Sequence, residues 1–189
     1  MLNKQYTSML QEKDVIFEIF QYATERAKVV GAENIYDFSL GNPSVPAPSI
    51  VNETIVQKVN TLDPLALHGY SPSFGIMDTR EKIAAFLNKK YGSSYKASNI
   101  FMAIGAAGAL AHAFRAVTNP GDEIITFAPC FSEYKPYTAG AGLKLTIIPA
   151  DIDTFQINFA AFEAQLNENT TAVLINSPNN PSGIVYSTV

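Results

Sequence analysis

An α/β fold is predicted, with a mostly parallel sheet, covering helices and a helical amino-terminal arm. Three features of the sequence carry that expectation. From about residue 97 to residue 183, short apolar strand-like runs alternate with helix-like segments, and this order builds parallel sheets because parallel strands need crossover connections. Hydrophobic residues make up 47% of the chain and charged residues 16%, enough apolar material for a packed core and too little charge for a disordered chain. Finally, loops rich in Pro, Gly and Asn follow the predicted strands directly, and open α/β sheets place ligands at the carboxyl ends of their strands. A length of 189 residues suits one domain with a sizeable core, or one domain and part of another.

Taken in order, Ser8-x-x-Gln11 has the form of a capping box. Ile16, Ile19, Phe20, Ala23, Ala27 and Val30 then follow helical spacing up to Gly31. Ile35 to Leu40 alternates weakly and runs into a Pro-rich loop, Gly41 to Pro48. Residues 49–60 suit a second helix, and Asp63 to Gly75 reads as irregular. Asp78-x-x-Glu81 is expected to cap a third helix carrying Ile83, Phe86, Leu87 and Tyr91, which Gly92 ends. A strand is expected at Ile100 to Ile104, then a helix bearing Leu110, Ala113, Phe114 and Val117. Asn119-Pro120-Gly121-Asp122 is a turn into a strand at Glu123 to Phe127. A helix near Phe131 to Ala141 leads to a strand at Lys144 to Ile148. A short helix around Phe159 to Leu166 leads to a strand at Thr171 to Ile175. Ile184 to Val189 shows no terminating signal, so the chain is expected to be part of a longer one.

Several classes of function are disfavoured. The net charge is −4 with scattered basic residues, which leaves no nucleic-acid footprint. The single cysteine, Cys130, cannot form an internal disulfide and fits a reducing, cytoplasmic compartment. Met1 to Asp14 is polar and lacks the apolar core of a signal peptide. The longest uncharged stretch, Ala97 to Phe114, is too short for a span of about 20 residues; a buried strand followed by a buried helix is expected instead. His68 and His112 are isolated from other ligand types, and no metal-ligating spacing occurs.

The candidate chemistry lies in the loops. Asn176-Ser177-Pro178-Asn179-Asn180-Pro181-Ser182-Gly183 follows the last strand, and its prolines and glycine make a stiff, non-repetitive turn. Held there, the Asn180 amide can donate a hydrogen bond without bringing a charge, although the same residues also suit a plain surface turn. Gly105-Ala106-Ala107-Gly108-Ala109 opens a helix, where small residues let backbone N–H groups approach an anion, or let the helix pack closely on the sheet. A dinucleotide is disfavoured there, because the third glycine of Gly-x-Gly-x-x-Gly is missing and no acid ends the second strand. Phe131, in Ala128 to Tyr134, can cover a flat heteroaromatic ring or simply anchor the core. Ser39 to Pro43 and Gly69 to Gly75 are two further turn-rich loops, the second carrying Tyr70, whose phenol can donate to an anion.

In this order the segments resemble the amino-terminal half of the class I/II aminotransferases, the fold-type I enzymes that depend on pyridoxal 5'-phosphate (PLP). The matching segments are Gly41-Asn42-Pro43, Tyr70-Ser71-Pro72 with Gly75 and Arg80-Glu81, Gly105 to Leu110, Pro120 to Asp122, Pro129 to Tyr134, and Asn179 to Gly183. The resemblance implies the large PLP-binding domain of that fold, incomplete here, over residues 49–189, after an amino-terminal helix and arm over 1–48. It implies that the backbone at Gly105, Ala106 and Ala107 holds the PLP phosphate. It further implies that Phe131 stacks on the pyridine ring and that Asn180 donates to the 3-oxygen and borders the substrate carboxylate. It implies too that Gly41 offers backbone to the substrate and that Tyr70 reaches the phosphate of a partner subunit in a homodimer. Amino acids and 2-oxo acids are the implied substrates. The lysine, aspartate, tyrosine and arginine that complete the family's site lie downstream of the Asn-Pro-Ser-Gly loop. The two Ser-x-x-Lys runs of this chain, Ser93 to Lys96 and Ser132 to Lys135, both precede that loop, whereas the family's lysine follows it, so the expectation is no catalytic residue within this chain. A fold-type I carbon–sulfur lyase shares these loops, and a non-catalytic truncated product would keep them too; both remain open.

Overall fold

The structure is a computed structural model describing residues 4–9, 15–39, 41 and 45–187. It divides into two compact units, Met1–Ser73 and Phe74–Val189.

In the first unit, α1 (Lys4–Met9) contains Ser8 rather than being capped by it, and Gln11, the other half of the expected capping box, lies outside the described residues. The apolar spacing becomes α2 (Val15–Val30). It stops at Gly31, whose φ of +90° leaves the helical region at little cost to a residue without a Cβ. Ile35 to Ser39 forms no strand. The second expected helix is α3 (Ser49–Thr61). The segment expected to be irregular contains a helix, α4 (Pro64–His68). Asp63 caps it, its Oδ1 accepting from the N–H groups of Leu65 at 2.9 Å and Ala66 at 3.1 Å. Proline at the first helical position costs nothing, because that N–H has no intrahelical partner anyway.

In the second unit, α5 (Met77–Tyr91) ends at Gly92 in the left-handed conformation, φ 65°, as expected. The expected cap is wrong: Asp78 lies inside the first turn and pairs with Lys82 at 2.8 Å, one turn on. Arg80 is buried, donating from Nε to the Ile100 carbonyl at 2.9 Å and from Nη2 to the Ala97 carbonyl at 2.7 Å. The strand expected at Ile100 to Ile104 is absent. Its backbone has no strand beside it among the described residues, and extended backbone without a partner makes no ladder. Phe101, Met102 and Ile104 are exposed, so the uncharged stretch is not the buried strand and helix expected. Its helix, α6 (Gly105–Val117), buries Phe114 alone among its residues.

The sheet is as predicted, parallel and covered on both faces. Strands β1 (Glu123–Phe127), β2 (Lys144–Ile148) and β3 (Thr170–Val173) lie in the order β2-β1-β3. Glu123 faces Lys144 and Phe127 faces Ile148 in register, while Ile124 faces Ala172. The crossovers are α7 (Tyr134–Gly140) and α8 (Phe159–Gln165). Period-two alternation along β1 divides the core. On one face Ile124 packs with Phe114 and Leu143, joined by Leu110, Tyr137 and Leu174. On the other, Ile125, Phe127 and Ile148 pack with Ile157, Ala161 and Phe162. Ile124 and Ile125 are both 0% exposed, and burying each fully contributes about 1.5–3 kcal/mol. This central strand fixes where the loops on either side of it emerge.

Candidate functional site

The two edges of the sheet differ in kind. At the amino edge, the buried Glu123 carboxylate pairs with Lys144 and accepts from Asn167 Nδ2 at 3.1 Å. The Lys144 ammonium holds that carboxyl below its ordinary range, outweighing the burial that pushes it up. This edge holds the structure together.

The carboxyl edge carries the loops. The chain leaves β1 through Ala128 and Pro129 to Phe131, and leaves the neighbouring parallel β3 through Leu174 to the Asn176–Gly183 turn. Phe131 and Asn180 therefore emerge on the same side. Thr126, itself buried, donates from Oγ1 to the Leu174 carbonyl at 2.9 Å, locking the two strands together where the loops begin. Farther out, the Asn179 side chain joins the loops themselves. Its Nδ2 donates to the Pro129 carbonyl and to Ser182 Oγ, both at 2.8 Å. Its own backbone N–H donates to the Ile184 carbonyl at 2.8 Å, and Gly183 donates back to the Asn179 carbonyl at 2.7 Å.

Within that frame Asn180 is exposed. Its backbone N–H donates to Asn176 Oδ1 at 2.8 Å, while its side-chain amide has no partner among the described residues. Phe131 is half-buried and meets Tyr134 edge to face, with centroids 5.7 Å apart and planes at 84°. Tyr134 is buried, and burial first, then Cys130, Tyr186 and Tyr137, raises its phenol. Burial likewise raises the Cys130 thiol, against a smaller opposing effect of Lys135, so the sulfur stays a thiol at neutral pH and is no nucleophile.

The glycine turn reaches this region by a different route from the one expected, since no paired strand precedes it. The far end of α6 leads through Thr118 to Asp122 into the first residue of β1. A helix returning over the Ile124 face puts its own start toward the carboxyl edge. Its 13 residues extend about 20 Å, against about 17 Å for β1. The α6 ladder begins with Gly108 N–H to the Ile104 carbonyl at 3.3 Å, and Gly105 donates to the Ala103 carbonyl at 3.1 Å. The donors of Ala106 and Ala107 point out of the helix start without an intrahelical acceptor. Gly105 has φ +66°, and a Cβ built on it would meet nothing within 4 Å. An anion there gains about 0.3–1 kcal/mol from the helix dipole alone.

Tyr70 and Gly41 belong to the first unit. Tyr70 is fully exposed in the loop after α4, and Gly41 is exposed with Leu40, Asn42, Pro43 and Ser44 outside the described residues. Sequence reasoning singled out Asn180 and passed over Asn176, Asn179 and Ser182. Their available signal was three short polar side chains in a loop whose prolines remove backbone donors.

The family model for aminotransferase class I and II matches residues 32–188. The aspartate aminotransferase of Thermotoga maritima is 33% identical over 165 residues, 87% of this chain and 43% of that protein. A solved amino transferase from Eubacterium rectale is 48% identical with a TM-score of 0.92, covering 99% of this chain and 47% of its own. The solved Thermotoga maritima aspartate aminotransferase has a TM-score of 0.84 at 29% identity, over 98% of this chain and 48% of its own. The chain thus spans less than half the length of these proteins.

Proposed function

The chain belongs to the class I and II aminotransferases, and from that premise we propose that it is the amino-terminal portion of a PLP-dependent enzyme moving an amino group between an amino acid and a 2-oxo acid. The observation that carries the reading is the convergence of the Phe131 and Asn180 loops at one edge of adjacent parallel strands, joined through Asn179. In this reading residues 49–189 are the first part of the cofactor-binding domain, and 1–48 form its amino-terminal arm. The compartment is a reducing cytoplasm.

The residues present fit PLP. The start of α6 supplies orphan N–H donors at Ala106 and Ala107 for a phosphate, and the open space before Gly105 admits it. When bound, PLP supplies an electron sink for charge developing at the α-carbon of an amino acid. Phe131, braced by Tyr134, covers one face of a flat ring and keeps water from it. The free Asn180 amide donates to a ring oxygen carrying negative charge and borders the substrate carboxylate. Gly41 presents backbone to the substrate, and Tyr70 donates its phenol to the phosphate in a second copy, so the enzyme is a homodimer. In this reading the lysine that would hold the cofactor is not among the residues of this chain assigned to the site.

Borohydride reduction of this chain with PLP, followed by mass spectrometry, tests the division of labour. Saturable binding without a covalent adduct is expected; a stoichiometric adduct on one particular lysine would overturn it.

A further inference from the structure

A buried asparagine next to an exposed one has different work to do. Asn179 is 6% exposed, so burying its amide without partners would be costly. Both of its side-chain bonds are long-range or loop-closing. One crosses 50 positions of sequence to the Pro129 carbonyl, and the other closes the turn onto Ser182 Oγ. Pro129 lies two residues before Phe131, and Asn179 immediately precedes Asn180. Proline at 129, 178 and 181 removes three backbone donors from these stretches, and the N–H groups of Asn179, Asn180 and Gly183 are already engaged within the turn. Among the described residues no other hydrogen bond joins the two loops beyond the strand ends.

We propose that Asn179 is a positioning residue, setting the Phe131 ring and the Asn180 amide as one preorganised unit. It touches neither cofactor nor substrate. The inference rests on the cofactor reading above for what the unit binds, but the locking itself is a property of the chain alone. It follows that Asn179→Asp, which keeps the shape and replaces the donor nitrogen with an acceptor oxygen, sets two oxygens against each other at the Pro129 carbonyl. Loosening the loops then weakens ring binding while leaving the α6 anion site unaffected. Two neutral hydrogen bonds are at stake, which corresponds to roughly a 10-fold loss of PLP affinity.

Two measurements decide it. Amide hydrogen exchange on the ligand-free chain is expected to accelerate at least about 10-fold at Asn180 and Gly183 in Asn179→Asp, with Ile124 and Ile125 unchanged. Exchange at Asn180 and Gly183 equal to wild type overturns the proposal. A uniform rise that includes β1 also overturns it, because it signals a merely structural residue. Titration followed by the circular dichroism induced in bound PLP is expected to show weaker binding and a smaller signal in Asn179→Asp. Inorganic phosphate affinity should be unchanged, and adding Asn179→Asp to Asn180→Ala should cost less than in the wild-type background. Full additivity, or equal losses for PLP and phosphate, contradicts the positioning role. A wild-type chain that takes phosphate but not PLP counts against the cofactor reading, and the exchange result still decides on Asn179.

Discussion

Replacing Asn180 by alanine should separate catalysis from cofactor retention. In the structure its side chain is exposed and partnerless among the described residues, and the one bond the residue makes comes from its backbone N–H to Asn176 Oδ1. Alanine keeps that N–H, so stability should change by less than about 0.5 kcal/mol. What is lost is a donor to a charged oxygen, worth roughly 1.5–3 kcal/mol, or about 10- to 150-fold in rate if expressed in the transition state. The phosphate donors of α6 are untouched, so the cofactor should be held nearly as well. The assay is single-turnover transamination at saturating PLP in the full-length enzyme, alongside the PLP content after gel filtration. If Asn180→Ala sheds the cofactor while the saturated rate stays at the wild-type value, the roles assigned to the amide and the glycine turn are wrong.

Three other changes probe the frame. Phe114→Ala removes the one buried side chain of α6 from the cluster with Ile124 and Leu143, and should lower the urea-unfolding free energy by about 3–5 kcal/mol. Gly105→Ala forces a Cβ onto a φ of +66°, costing roughly 1–2 kcal/mol; calorimetry with inorganic phosphate should show the helix-start site weakened. The Lys144 ammonium lowers the Glu123 carboxyl, so this pair stabilises the fold above the ordinary glutamate range, and the benefit is lost as pH falls through the folded value. Wild type should therefore lose more urea stability than Glu123→Gln on acidification; parallel losses would refute the pairing.

How far the fold could be read from the chain depended on whether a signal was local. Glu123–Phe127 and Lys144–Ile148 were bounded correctly because β-branched runs meet Asn-Pro-Gly-Asp and Ala-Gly turns at their ends. Ile100–Ile104 has the same apolar character and failed, since a strand exists by virtue of a neighbour and no local pattern supplies one. The Asp63-Pro64 pair was a readable cap and first-turn signal obscured by the surrounding prolines and glycines. Asp78 was misread because a helix start can slide by a residue or two without changing the pattern. At the candidate site, the exposed residues Gly105 and Asn180 were visible in the sequence as candidates. Asn179 was not, because its identity matters through burial and through a carbonyl 50 positions away.

The central claim is that one edge of this sheet holds PLP through Ala106, Ala107, Phe131 and Asn180. A crystal structure of the chain soaked with PLP tests it most directly. The account predicts the phosphate on the N–H groups of Ala106 and Ala107, the ring against Phe131, and the 3-oxygen within hydrogen-bonding distance of the Asn180 amide. A phosphate bound elsewhere, or a ring turned away from Phe131 with the glycine turn empty, would contradict it.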